Sequence, residues 1–202
     1  MKKRISPRVS LIIIAAMFVL PLLAAWFMYS GAIAYKPAAT RNFGTLVEPP
    51  LPLAWEDTHL LAGSSEDSSL AEDVFYEHWV VLYPVTGGCD ETCLRDVTAL
   101  RQIHRASGRH QSRILIALLI QQPGDPQVQG TLQNIYPTFH LINDPSGQTA
   151  AVLEQIQGNQ AAVYLIDPLG NIMMTYDAGA DPNHLKQDLK RLLTWSKLDE
   201  QS

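Results

Sequence analysis

Trp79-Val80-Val81-Leu82-Tyr83-Pro84-Val85-Thr86-Gly87-Gly88-Cys89-Asp90-Glu91-Thr92-Cys93 is the stretch that decides how this chain is read. An apolar run of strand length, Trp79–Val85, leads into a Thr-Gly-Gly turn and then into two cysteines. They are the chain's only cysteines. From Glu91 to Ser107, Cys93, Val97, Leu100 and Ile103 fall on one helical face, and Gly108 is a stop signal. Two thiols four positions apart at a helix start share a face. They can close a disulfide, hold a soft metal ion, or do both.

The rest of the C-terminal half continues the alternation. Ile114–Ile120 is apolar throughout, as a strand buried on both faces should be. Asp125-Pro126 opens an expected helix to about Tyr136, Phe139–Ile142 reads as a short strand, and Gly147–Ile156 as another helix. Ala161–Ile166 is a strand, and Asp167-Pro168-Leu169-Gly170-Asn171 is turn chemistry. Ile172–Tyr176 is therefore expected to pair back as a hairpin. Asp181 caps a final helix with Pro182 at its first position, and Leu185, Leu189 and Leu192 line its inner face. The order predicts an α/β fold with a mixed sheet flanked by helices, parallel at its centre and closed by an antiparallel edge.

The N-terminal part is of another kind. Its first 36 residues carry Lys2, Lys3, Arg4, Arg8 and Lys36 and no acid. Leu11–Ile33 holds no charge, and at about 1.5 Å per residue it spans a hydrocarbon core of about 30 Å. Pro21 lies inside, which a bilayer helix tolerates. The basic flank belongs on the cytoplasmic side, so the rest is exported. Ala32-Ile33-Ala34 also resembles a signal-peptide cleavage site, but the apolar stretch exceeds the roughly 7–15 residues of a signal core. The expected organisation is a basic cytoplasmic end (1–10), a single transmembrane helix (11–33), an extended periplasmic tether (34–73) and a folded domain (74–202). The tether contains Pro37, Pro49, Pro50 and Pro52 and ends in the polar, acidic stretch 63–73. Beyond Lys36, 20 acids face 10 Lys or Arg, a balance near −10 that makes nucleic acid and anionic surfaces poor partners.

This order of elements, with a cysteine pair just after the first core strand, resembles the thioredoxin superfamily. Val80–Val85, Thr86-Gly87-Gly88, the Cys89-x-x-x-Cys93 pair and the run Val163-Tyr164-Leu165-Ile166-Asp167-Pro168-x-Gly170 resemble its Sco branch. Sco proteins are membrane-anchored and help mature the copper site of cytochrome c oxidase. The resemblance covers about Trp79 to Lys197. It implies a thioredoxin-like domain in the periplasm, anchored in the bacterial inner membrane. It also implies copper(I) or redox chemistry at Cys89 and Cys93, and a respiratory oxidase subunit or assembly factor as partner. Two positions depart from the pattern. Asn159 stands where Sco proteins place a copper-binding histidine, and Ala161 lies nearest the position of the cis-proline of thioredoxin-type oxidoreductases.

Read from the residues alone, the pair leaves three functions open: assembly chemistry with copper(I), general thiol–disulfide exchange, or a structural bridge on a non-catalytic interaction module. A helix N-terminus favours the thiolate, whereas Asp90 and Glu91 oppose it. His78, His104, His110, His140 and His184 are scattered and read as surface or partly packed residues. Met173-Met174 reads as one inward and one outward side chain of a strand. Arg101, Arg105, Arg109 and Arg113 recur every four residues, but Gly108 interrupts a helical stripe. There is no nucleotide-binding loop, Ser-His-Asp candidate or paired-carboxylate signature.

Overall fold

The computed structural model describes residues 6–29, 41–56, 58–61, 74–85, 87–120, 126–135, 137–156 and 161–196. It divides into two compact units, Met1–Arg41 and Asn42–Ser202. The first holds one helix, α1 (Pro7–Tyr29), with Pro21 inside and apolar side chains exposed around it. Its stretch Pro7–Phe27 is long and apolar enough to cross a membrane. The helix begins four positions before the expected Leu11, while residues 30–33 and the Ala32–Ala34 motif lie outside the described residues.

The second unit is built on a seven-stranded sheet. Its strands are β1 (Thr45–Pro52), β2 (His59–Leu60), β3 (Trp79–Val85), β4 (Ile114–Ile120), β5 (His140–Asn143), β6 (Ala161–Ile166) and β7 (Asn171–Asp177). They lie in the order β1-β7-β6-β3-β4-β5-β2. β3, β4 and β5 run parallel. β6, β7 and β1 extend the sheet antiparallel on one side, and β2 on the other. Between the strands run α2 (Glu91–Ala106), α3 (Pro126–Ile135) and α4 (Gln148–Gln155), with α5 (Pro182–Trp195) closing the chain. The expected mixed, thioredoxin-like α/β architecture is the one observed.

Period-two alternation sorts the sheet into two cores. Val81, Tyr83, Ile116 and Leu118 face one side, where Val97 and Leu100 of α2 and Leu185 and Leu189 of α5 cover them. Val80, Leu82, Ala117 and Leu119 face the other, against Trp55, Phe75 and Leu153. β4 feeds both cores, which explains its unbroken apolar sequence.

The segment read as a tether is corrected by the structure. From Asn42 to Leu61 the described chain belongs to the folded unit. β1 pairs with β7, and Leu53 and Trp55 are buried. Prolines misled the reading, because a proline-rich strand is tolerated at a sheet edge, where missing N–H donors cost no ladder bond. Of the tether, residues 34–40, 57 and 62–73 lie outside the described residues. In α5 the buried third leucine is Leu193, with Leu192 half-buried.

Candidate redox site at the strand–helix junction

The parallel β3 ends at Val85, at the centre of the sheet. Gly87, at φ +63°, and Gly88 then turn the chain, and a Cβ at either would meet nothing within 4 Å. Cys89 follows at φ +52°, a left-handed conformation unusual for a residue with a Cβ. Asp90 caps α2, its Oδ1 accepting the Cys93 N–H at 3.0 Å. Cys93 sits in the first turn of α2. The sequence therefore folds here as expected: strand, glycine turn, capped helix.

The two cysteines form a disulfide with Cα atoms 5.1 Å apart. Both sulfur-bearing residues are buried, 8% and 7% exposed, and belong to the core under α2. Gly87, Gly88 and Asp90 on the approach are exposed. One turn beyond Cys93, Asp96 Oδ2 accepts the Tyr83 hydroxyl at 3.3 Å. Burial and the Asp96 charge push the Tyr83 phenol up to about 12, so it stays a donor. Asp96 also lines a cleft with Leu100, Val163 and Tyr176.

The other expected candidates are not gathered at the cysteines. His104 lies about three turns along α2 from Cys93, donating from Nε2 to the Ile114 carbonyl at 3.0 Å. Burial holds its pKa below the usual histidine value. His140 sits edge-on to Phe75, its Nδ1 buried with no hydrogen-bond partner among the described residues. His184 stacks on Phe43 at 4.5 Å, His78 lies 3.0 Å from the Tyr76 carbonyl, and His110 meets Arg109 and Arg113. Met174 is buried and Met173 half-buried, by strand alternation. The arginine series is broken after Ala106 by Gly108 and a 3-10 turn (Gly108–Arg113), and Arg113 ties that turn to the Leu193 and Ser196 carbonyls. Asn159 lies outside the described residues.

Copper can be tested against this donor set. On reduction, Cys89 and Cys93 offer two soft thiolates from one helix end, which suits copper(I). Among the described residues no group of three or more His, Cys, Asp or Glu could hold a metal ion. Among the described residues the donor set is therefore that pair of thiolates, which suits two-coordinate copper(I).

Sequence reasoning missed Asp188. It is 2% exposed in α5, and its Oδ2 accepts the N–H groups of Phe43 and Gly44 and the Tyr176 hydroxyl. A lone acid on the apolar face of a predicted helix was the available signal.

Residues 79–196 match a family described as transmembrane-like, thioredoxin-like, C-terminal domain. No curated protein matches the chain by sequence. Among solved structures, apo Sco1 from Thermus thermophilus matches with a TM-score of 0.56 at 18% identity, covering 77% of this chain and 99% of that one. Copper-bound yeast Sco1 matches at 0.53 and 12% identity, over 81% of this chain and 100% of the other. Copper-bound ScoI from Arabidopsis thaliana matches at 0.52 and 13% identity, over 76% and 99%. At these identities the likeness is one of fold.

Proposed function

Because this chain belongs to the transmembrane-like, thioredoxin-like family, we propose that it is a membrane-anchored dithiol reductant serving assembly of a respiratory oxidase copper site. α1 anchors it in the bacterial inner membrane, and the thioredoxin-like domain works in the periplasm, where disulfides form. The observation that carries the reading is the Cys89–Cys93 disulfide at the end of the central strand and the start of α2. The same fold in copper-bound Sco1 supports the choice of partner, an oxidase subunit or assembly factor.

The electrons balance as follows. In the reduced domain the Cys89 thiolate attacks a partner disulfide across the open Gly87-Gly88 turn. A mixed disulfide forms and one partner thiolate leaves. The Cys93 thiolate then attacks Cys89 Sγ, closes the bond seen here, and releases the second partner thiolate. The pair loses two electrons and the partner gains them, ready to bind copper. A separate dithiol donor restores Cys89 and Cys93.

Asp90 sets the direction. A strong oxidant owes its potential to a stabilised thiolate in the reduced form. Here the Asp90 carboxylate sits on the Cys93 N–H and offsets the helix terminus that would supply such stabilisation. The reduced pair is thus poorly stabilised and gives up electrons readily. Equilibration with glutathione and dithiothreitol buffers tests this. We expect a potential nearer thioredoxin's about −270 mV than the about −120 mV of a strong oxidant. A value above about −180 mV removes the reductant role, and one below about −300 mV assigns a structural bridge.

Copper(I) binding by the reduced pair is the second reading, favoured by the convergence of two thiolates on one helix end. It would supply the metal directly to the partner. Titration of the reduced wild type against C89S/C93S tests it. No difference between the two would remove copper from this chain's role.

A further inference from the structure

We propose that the outer face of α5 is a membrane-docking surface that seats the domain on the phosphate headgroups of an anionic bilayer. The inference rests on the anchoring of α1 proposed above. Net charge alone argues against such a partner, but the charge is unevenly placed. In α5 the only acid, Asp188, is 2% exposed and its Oδ1 pairs with Arg191 at 3.3 Å, so the uncompensated charges of the outer face are Lys186 and Lys190. The exposed positions of its middle and last turns are Lys186, Gln187, Lys190, Arg191, Thr194 and Trp195. That face is therefore cationic on a domain that is otherwise strongly acidic. Asp181, the cap, stands at the opposite end of the helix from Trp195.

Aromatic residues complete the pattern. Trp195 is 82% exposed at the helix end, an arrangement with no gain in water. Phe43 is 47% exposed, stacks on His184, and lies 5.3 Å beneath the Arg191 guanidinium. Tryptophan and other aromatics beside Lys and Arg suit the headgroup layer, where an apolar ring and a cation are both satisfied. Each cation near an anionic surface gains from its negative potential, while the acidic remainder is repelled, so the field also selects an orientation.

The occupant follows from where the chain comes from. Asp188 fastens Phe43 and Gly44 to this face of the domain. Phe43 lies fourteen positions beyond Tyr29, the last residue of α1, and at about 3.5 Å per residue that length of chain reaches at most roughly 50 Å. Phe43 and Gly44, at the start of the folded unit, are thus held beside the cationic, aromatic surface.

The full chain in nanodiscs tests the proposal, with brominated phospholipids as fluorescence quenchers. Trp55 and Trp79 are buried in the domain and serve as the unquenched background. In W195F, quenching of Trp26 reports insertion of α1. In W26F, docking predicts quenching of Trp195 in discs containing phosphatidylglycerol. It predicts at least a twofold loss in phosphatidylcholine discs or in K186E/K190E, which leaves the Arg191–Phe43 contact in place. W26F quenching equal to that of W26F/W195F overturns docking while leaving the anchor intact. Equal quenching in both lipids overturns the electrostatic recognition. Absence of Trp26 quenching in W195F overturns the anchoring on which the inference stands.

Discussion

Asp188 Oδ2 lies 2.8 Å from the backbone nitrogen of Phe43, although the two residues are 145 positions apart. The same oxygen takes the Gly44 N–H at 3.0 Å and the Tyr176 hydroxyl at 3.1 Å. One buried carboxylate thus joins the start of the domain, the β7 strand and the last helix.

Asp188→Ala leaves two backbone donors and a hydroxyl without their acceptor. Unmade buried bonds cost about 1–3 kcal/mol each, with partial relaxation, so a loss of roughly 3 kcal/mol is expected in urea unfolding. Tyr176→Phe removes a single partner and should cost about 1 kcal/mol. Equal effects of the two changes would contradict the central place of the carboxylate.

Gly44→Ala should destabilise by about 1–3 kcal/mol. A Cβ there would stand 2.6 Å from Met174 Cγ and 2.8 Å from Tyr176 Cζ. The Gly44→Ala/Met174→Ala double variant should recover part of the loss relative to Met174→Ala alone. Thermal unfolding of the four proteins reads the coupling.

Acidification should weaken the fold before any carboxylate titrates. Burial lowers the pKa of His104, and burial with the nearby His78 and His104 lowers that of His140. Above about pH 6.5 the two imidazoles are neutral whether the chain is folded or not. Below it the unfolded chain takes up protons that the folded chain refuses, so stability falls with falling pH. Urea midpoints should drop between pH 7.5 and 5.5, and His104→Gln should flatten the slope. A midpoint that rises on acidification would refute this assignment.

Removal of the disulfide by C89A/C93A should cost about 2 kcal/mol, the chain-entropy value for so short a loop. The secondary structure should survive, because the pair lies at the end of a core that is otherwise apolar. Loss of cooperative unfolding in the double variant would instead make the bridge a condition of folding.

Much of this was legible in advance. Ile114–Ile120 announced a doubly buried strand, and β4 has those bounds. Asp181-Pro182 announced a capped helix, and Asp181 accepts the Asn183 N–H. The glycine turn and the cysteine spacing located the disulfide-bonded pair at the strand–helix junction, because strand, turn and helix start are all local signals. The edge strand β1 was not legible, since its pairing with β7 joins residues more than 100 positions apart and its prolines mimic a linker. Asp188 was visible only as a polar residue on an apolar face, and its partners come from two distant segments. Long-range pairing decides both, and no local pattern encodes it.

The prolines of β1 have a consequence for how copies of this protein meet. An open sheet edge is a template onto which another molecule can add a strand, the first step of intermolecular aggregation. β1 is one of the two outermost strands, and positions 49, 50 and 52 cannot donate to an incoming ladder. Its register also shifts between Leu46 and Leu51, which breaks the regular repeat a second strand would need. The segment that mimics a linker in sequence thus guards the sheet against runaway self-association.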